Sequence, residues 1–316
     1  MNTLIEDNAM ASASVLALLL LALGGSLPAH AQDDEDAERS WHLGVALGYG
    51  ERDNPLLKGE TIDIHAVIDF SWYGKRFFFD NGDLGYTLQE HNTWSLSLIG
   101  TVNNERHYYS YLTGNNFGLE SILDSRFGLT GNASRPEPGG LERPASPALA
   151  QSAGLDPQAL EPPGLNSLTE LPDRDFAFNS GLELLYISPL GDVQAQLLSD
   201  LSSTHNGQEA WLSWSKPWYT PLSEFTLTLG LEWKSSNLVD YYYGVRPEEA
   251  FNGRPQYEAG AGANHFIRFA ARHRLGDQLS LVGMVEREFL SSAISNSPIV
   301  DKADVDTFFA GLYYQF

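Results

Sequence analysis

Residues 224–234 read Glu-Phe-Thr-Leu-Thr-Leu-Gly-Leu-Glu-Trp-Lys, and this stretch indicates the fold of the whole chain. Every second side chain, from Phe225 to Trp233, is large and apolar, and the residues between them are polar or glycine. A period of two places one face of a β-strand against an apolar environment and the other against water. At this length, the stretch crosses a bilayer as a tilted strand.

The same alternation recurs in residues 41–49, 61–72 and 93–102. Alternation alone also fits a soluble β-sandwich. A membrane barrel is favoured because the less apolar faces mix glycine and alanine with charged residues, as a wet lumen does. Tryptophans also gather near the strand ends, where the membrane interface lies.

The end of the chain, Leu312-Tyr313-Tyr314-Gln315-Phe316, supports the same fold. Tyr314 and the terminal Phe316 share one strand face with Leu312. This ending resembles the C-terminal strand that the barrel-assembly machinery recognises. We therefore interpret Tyr314 and Phe316 as the barrel-assembly signal.

Tight turns rich in glycine, proline and aspartate alternate with longer polar connections, as in outer-membrane barrels. We predict an all-β fold, a transmembrane antiparallel up-and-down β-barrel of about twelve strands with both termini in the periplasm. The strand at 106–112 has the weakest pattern and is kept because the count must be even. The predicted strands are 41–50, 60–72, 76–88, 91–102, 106–112, 175–187, 193–203, 208–218, 224–235, 263–275, 279–290 and 304–316.

The N-terminus predicts export to the cell outer membrane. Residues 11–23 form a short apolar run, and Ala29-His30-Ala31 offers a signal-peptidase site, so we predict a cleaved signal peptide over 1–31. A basic n-region is missing, and Met10 is an alternative start. A retained anchor is less favoured because the run is short for a bilayer of about 30 Å. Residues 32–40 then form an acidic periplasmic tail, and the barrel extends over 41–316.

A proline-rich segment interrupts the barrel pattern. Residues 131–172 hold eight of the sixteen prolines, and residues 128–175 lack aromatic side chains. Such a segment buries too little apolar surface to offset its ordering entropy. We predict that 113–174 is a long Pro-rich disordered extracellular loop, with a plug inside the lumen as the alternative.

The charge balance excludes some functions. The chain of 316 residues carries 41 acidic and 19 basic side chains, a formal net charge of −22. A polyanion repels it, so we predict no nucleic-acid partner. The chain has no cysteine, which excludes disulfides and thiolate metal sites. The expected surroundings are outer-membrane lipid on the apolar strand faces.

Charged side chains on the predicted inner faces are the candidate site residues. Two carboxylates and one imidazole on the second strand also fit a metal site, but balanced lumen charges are more typical, so we predict no metal and no cofactor. Such a lumen fits either a small hydrophilic diffusion channel or a self-neutralised closed core. We expect Arg268, Arg272 and Arg274 to form an inward basic strip that faces Glu183, Glu209, Glu224 and Glu232. The lumen-lining candidates are Asp63, His65, Asp69, Glu183, Glu232, Arg268 and Arg272.

Ser202 and His205 form the sharpest catalytic candidate, an outer-membrane lipid hydrolase. A serine nucleophile needs an imidazole base and an orienting group. The following Asn206-Gly207 is a turn signal, which favours an ordinary loop histidine. We therefore predict that the protein is not an enzyme and keep the hydrolase as a remote alternative. Residues 241–243, three tyrosines, fit either a gripping loop or the outer aromatic girdle.

Several phrases in order along the chain resemble the MipA/OmpV family, named for a protein that binds the lytic transglycosylase MltA. They are Gly-Val-Ala-Leu-Gly-Tyr-Gly at 44–50, Val-Ile-Asp-Phe at 67–70 with Tyr-Gly-Lys-Arg-Phe-Phe-Phe at 73–79, Tyr-Tyr-Tyr-Gly-Val at 241–245, and Ser-Pro-Ile-Val at 297–300 before the last strand. The resemblance implies an outer-membrane scaffold between a lytic transglycosylase and a murein synthase. It brings no catalytic residues, and the 131–172 insertion departs from it.

Overall fold

The computed structural model describes residues 40–103, 105, 107–110, 174–250 and 253–316. The predicted signal peptide at 1–31 and all but the last residue of the acidic tail lie outside these residues. So does the predicted loop at 113–174, except for Arg174. Within the described residues, no helix has the length and apolar character needed to cross a bilayer.

Twelve antiparallel strands close into one barrel, in which each strand pairs with its neighbours in sequence and β1 pairs with β12. This confirms the predicted fold class. The strands are β1 Ser40–Arg52, β2 Ile62–Tyr73, β3 Phe77–Asp80, β4 Asp83–His91, β5 Trp94–Val102, β6 Phe178–Tyr186, β7 Asp192–Asp200, β8 Gln208–Tyr219, β9 Ser223–Lys234, β10 Gly262–Arg274, β11 Leu279–Phe289 and β12 Asp304–Gln315.

The two ends of the barrel differ. The turns after β2, β4, β6, β8 and β10 are short and lie at the end where β1 begins and β12 ends. The connections after β1, β5, β7, β9 and β11 are longer and lie at the other end. Outer-membrane barrels place short turns in the periplasm and long loops outside. We therefore call these the periplasmic end and the outer end.

Strand β9 shows how the sequence divides lumen from lipid. Leu229, Leu231 and Trp233 remain exposed on the outside of the barrel. The alternate residues Thr228 and Glu232 are buried on the inside. Because lipid tails solvate the outer face, these exposed apolar side chains are stable where they stand.

The predicted strand at 76–88 is wrong, because the chain turns back within it. β3 and β4 form a hairpin whose turn residues Asn81 and Gly82 have φ angles of 46° and 104°. Both residues in the left-handed region are typical of a type I′ turn, for which Asn-Gly is the strongest signal. Since β3 is short, β2 pairs with it only over Ser71–Tyr73. Within the described residues, no strand pairs with the rest of that edge.

The predicted strand at 106–112 is also wrong. Its described residues form a short helix, α1 His107–Ser110, and residues 106, 111 and 112 lie outside the description. Tyr108 and Tyr109 are both buried in one apolar cluster, whereas a strand would send neighbouring side chains to opposite faces. The extra hairpin strand and the missing strand cancel, so the count of twelve is nevertheless right.

An apolar cluster, here called the outer cap, fills the outer end of the barrel. It joins residues of four outer connections and includes helices α2 Ser236–Tyr243 and α3 Ser292–Ser295. Tyr242 and Tyr243 are buried within it, so they form neither a girdle nor an open gripping loop. The cap consists of Leu56, Ile62, Tyr108, Tyr109, Leu238, Val239, Tyr242, Tyr243, Val245, Ala259, Ile294, Ile299 and Val300.

Candidate functional site

A cavity of about 210 Å³ lies inside the barrel below the outer cap. Trp211 and Phe266 are its lining residues farthest from the periplasmic turns on β8 and β10, and their ring centroids are 4.8 Å apart. At the other end the lining reaches Asn92 and Ile187, which belong to periplasmic turns. The cavity therefore extends to the periplasmic end of the barrel.

One wall of the cavity is acidic and is centred on Asp69 of β2. The Oδ2 atom of Asp69 accepts a hydrogen bond from the Tyr313 hydroxyl at 2.9 Å and lies 3.1 Å from His42 Nε2. Oδ1 accepts a hydrogen bond from Asn81 Nδ2 at 3.2 Å. His42, Asp69 and Tyr313 thus join β1, β2 and β12 at the seam where the barrel closes.

Asp80 and Glu183 complete this wall on β3 and β6. Asp80 accepts a hydrogen bond from the Tyr73 hydroxyl at 2.8 Å. The Oε2 atom of Glu183 accepts amide hydrogen bonds from Gln194 at 2.7 Å and Gln196 at 2.8 Å. Neither carboxylate forms an ion pair with a basic side chain among the described residues. The wall therefore keeps its negative charge toward the cavity.

Arg268 and Arg272 point inward, and one expected pairing is present, because Arg272 lies directly opposite Glu224 in the β10–β9 register. Arg268 faces Thr228 on that side and pairs with a glutamate on the other. Arg268 Nε donates to Glu286 Oε2 at 2.6 Å, because the two residues are directly opposite in the β10–β11 register. Arg272 donates to Ser280 Oγ at 3.2 Å and to Gln315 Oε1 at 3.3 Å. The remaining candidate, Glu232, pairs with Lys234 Nζ at 3.1 Å.

Asp63 and His65 do not share the face of Asp69, which corrects the sequence-based grouping. The β1–β2 register shifts between Leu47 and Gly50, as at a β-bulge. The inward face of β2 changes there, so Asp63 and His65 are exposed while their neighbour Ile64 is buried. Among the described residues, no three His, Cys, Asp or Glu side chains are grouped to hold a metal ion.

The hydrolase candidate lacks an activated serine. Ser202 Oγ donates to Asp200 Oδ1 at 2.6 Å, and no hydrogen bond joins it to His205 in the described part of the chain. His205 Nδ1 instead accepts the backbone N–H of Gly207 at 2.9 Å. Burial lowers the pKa of His205, although Asp200 opposes the shift. The histidine is a structural element of the β7–β8 loop.

Buried ion pairs hold the outer cap. Arg174 donates from Nη1 and Nη2 to the two oxygens of Glu249, at 2.8 and 3.1 Å. Burial alone raises the pKa of Glu249, but hydrogen bonds and charge, chiefly from Arg174, outweigh it and hold the pKa below its usual value. Glu105 accepts hydrogen bonds from Lys234 and from the Tyr243 hydroxyl. Burial and the nearby Glu105 raise the pKa of Tyr243 well above its usual value.

Sequence reasoning missed Arg174, Glu105 and Glu249. They lie in loops without periodicity, and their partners are distant in sequence, 75 residues apart for Arg174 and Glu249. A capping box at Arg246–Glu249, with Pro247 at the start of a 3₁₀ turn, was the only local signal among these residues.

A sequence profile described as "MltA-interacting protein MipA" matches residues 43–316, which is most of the chain. The chain belongs to the MipA family. Among relatives in this family, the MltA-interacting protein of Escherichia coli K12 is 27% identical over 158 residues, 48% of this chain and 62% of the relative. The chain therefore spans about three fifths of that relative's length.

The outer membrane protein OmpV of Vibrio cholerae is 23% identical over 267 residues, covering 84% of this MipA-family chain and 83% of OmpV. Relatives are named as interacting or outer-membrane proteins, and this chain is an outer-membrane protein. Among solved structures, the NanC porin aligns with 87% of this chain over 100% of the porin chain, at 5% identity and a TM-score of 0.36.

Proposed function

We propose that this MipA-family barrel holds murein-remodelling enzymes at the outer membrane from its periplasmic end. The partners would be a lytic transglycosylase of the MltA kind and a murein synthase. The name of the Escherichia coli relative, MltA-interacting protein, supports the first partner. The observation that carries the proposal is a row of exposed leucines on the periplasmic turns.

Three successive periplasmic turns each present one leucine. Leu190, Leu222 and Leu275 are 81%, 55% and 54% exposed, in the turns after β6, β8 and β10. We call them the leucine rim. Exposed apolar side chains grouped on a surface and surrounded by polar residues are typical of protein-binding sites.

Hydrogen bonds tie these turns together. Lys216 Nζ of β8 donates to the carbonyl of Pro189 at 2.5 Å, and Arg274 Nη2 of β10 donates to the carbonyl of Pro221 at 3.1 Å. Each contact links one turn to the strand that carries the next. The leucine rim is therefore held as one surface, which reduces the ordering entropy that a partner must overcome.

The test replaces the three leucines of the rim by serine and measures capture of a purified MltA-type lytic transglycosylase by the barrel in detergent. Loss of the apolar contacts is expected to weaken capture by about tenfold or more. The matched control is Leu201→Ser, which removes a leucine that is 68% exposed at the outer end. Equal capture by the wild type and the triple variant would reject the rim as the docking surface.

A diffusion channel for small polar solutes is the second candidate, because the cavity has a polar lining. The outer cap opposes it, since buried apolar side chains occupy the outer end of the lumen. Steady single-channel conductance of the refolded barrel would make transport the working function. A barrel without conductance would leave the scaffold as the proposed function.

The lipid hydrolase is not proposed, and unchanged lipid turnover in His205→Ala is the expected outcome.

We also propose that the exposed C-terminal aromatics serve assembly. Tyr314 and Phe316 are both exposed, and their rings meet edge to face with centroids 5.0 Å apart. An aromatic pair on the lipid face of the last strand is available to the barrel-assembly machinery before the seam closes. Replacing both residues by alanine is expected to lower the amount of barrel in the outer membrane, measured by fractionation.

A further inference from the structure

The cavity contains hydroxyl groups that lack partners within the protein. Ser71, Ser97, Ser213 and Thr226 line it, and each residue is at most 5% exposed. Among the described residues, these four side chains form no hydrogen bond with another protein group, and their oxygens remain accessible from the cavity. Four accessible hydroxyls around one cavity match a polar ligand that replaces water as their hydrogen-bond partner.

The four hydroxyls stand on four separate strands, β2, β5, β8 and β9. They therefore surround the space instead of forming one stripe, and a ligand between them would be contacted from several sides. Hydroxyl side chains both donate and accept, so they match a ligand that carries several hydroxyl groups of its own.

The charge of the cavity determines whether a cationic or an anionic ligand is favoured. Asp80 and Glu183 have no basic partner among the described residues, and Glu183 Oε1 accepts no hydrogen bond there. The lining contains one arginine, Arg268, which Glu286 already neutralises at 2.6 Å. The field inside the cavity is therefore negative, and a cation is drawn into it.

Aromatic rings complete the lining. Trp94 lies near the periplasmic entrance, and Trp211 and Phe266 lie at the far end. Ring faces attract ammonium groups and cover the apolar faces of a saccharide ring. Carboxylates, hydroxyls and aromatic faces together match one ligand chemistry better than any of them does alone.

We propose that the cavity binds a small polyhydroxylated cation of the amino-sugar class from the periplasmic side. Its ammonium group lies between Asp80 and Glu183, and its hydroxyl groups bond to Ser71, Ser97, Ser213 and Thr226. This site is separate from the leucine rim, so the inference does not depend on the scaffold proposal.

The experiment is calorimetric titration of the purified full-length barrel in detergent with three probes of similar size. Glucosamine is the cation, N-acetylglucosamine is the neutral probe and glucuronate is the anion. We expect glucosamine to bind with a Kd on the order of 0.1–1 mM, the neutral sugar about tenfold more weakly and the anion not at all. Equal binding of the three probes, or no binding of glucosamine, would overturn the proposal.

Charge removal gives the second readout. Glu183→Gln is expected to weaken glucosamine binding by about tenfold to a hundredfold, as for loss of a charge-assisted hydrogen bond, and to leave N-acetylglucosamine binding nearly unchanged. Asp80→Asn, which keeps an acceptor for Tyr73, is expected to act in the same direction. Asp277→Asn removes a charge from an exposed periplasmic turn and is the matched control. A glucosamine affinity that neither cavity variant changes would refute the assigned site.

Discussion

Glu249→Gln removes one charge from the outer cap and keeps the shape of the side chain. In the native protein the Arg174 guanidinium donates two hydrogen bonds to Glu249, at 2.8 and 3.1 Å. Both side chains are 1% exposed, so solvent does not screen the pair. The amide of glutamine can accept only one of the two bonds, and the buried guanidinium then has no counter-charge at this position.

The expected cost follows from that burial. Breaking a buried ion pair by removing one partner costs about 3–5 kcal/mol. This loss of stability is expected in the outer cap and not in the hydrogen bonds between barrel strands, because Arg174 and Glu249 belong to outer connections. The opening constant of the cap should rise by roughly two to three and a half orders of magnitude.

Hydrogen–deuterium exchange of the amides in α2 measures this opening, with the amides of β9 and β10 as an internal reference. Glu248→Gln is the matched control, since it removes an exposed charge one residue away. Arg174→Met combined with Glu249→Leu should recover most of the protection, because two apolar side chains leave no unpaired charge. Exchange in α2 within threefold of wild type for Glu249→Gln would refute the reasoning.

Three further predictions concern the seam and the pH response. Gly44→Val should destabilise the barrel by about 1–3 kcal/mol in urea unfolding, since a Cβ at Gly44 would lie 2.0 Å from the Tyr313 hydroxyl. The control Gly283→Ala should be neutral, because its Cβ would lie 3.7 Å from the nearest atom, the carbonyl oxygen of Phe309. Tyr313→Phe should cost about 1–3 kcal/mol in the same assay, because it removes the hydroxyl that Asp69 and His42 contact. The pKa of His205 is lowered on folding, so its contribution to the stability of the loop is fully present above pH 6.5 and is lost as the pH falls through the folded pKa. Hydrogen–deuterium exchange in the β7–β8 loop should therefore become faster in that pH range. An exchange rate in the loop that does not respond to pH in this way would contradict the prediction.

The sequence predicts strands correctly where a single physical requirement determines the residue pattern. In β9 and β12 the lipid requires apolar residues at every second position, and the predicted strands match the observed ones within a residue or two. The rule failed at β3 and β4, because the apolar residues of 76–88 continue through the turn. Asn81-Gly82 was the signal that would have placed the hairpin.

The site was harder to predict because it depends on register and on contacts between distant residues. Strict alternation of side chains along β2 would place Asp63 on the same face as Asp69. The shifted register between Leu47 and Gly50 instead turns Asp63 outward. Likewise the partner of Arg268 follows from the β10–β11 register, which no local pattern contains. Glu105 and Lys234 are 129 residues apart, and only the closed barrel brings them together.

The outer cap determines how the rest of the molecule can act. Buried ion pairs such as Arg174–Glu249 add little net stability compared with apolar packing, but they penalise every arrangement that separates them. They therefore favour one closed arrangement of the outer connections. The leucine rim and the acidic cavity both lie toward the periplasmic end, on the other side of the barrel from the cap. These two surfaces share no residue, so the proposed protein docking and the proposed ligand binding can be tested by separate substitutions.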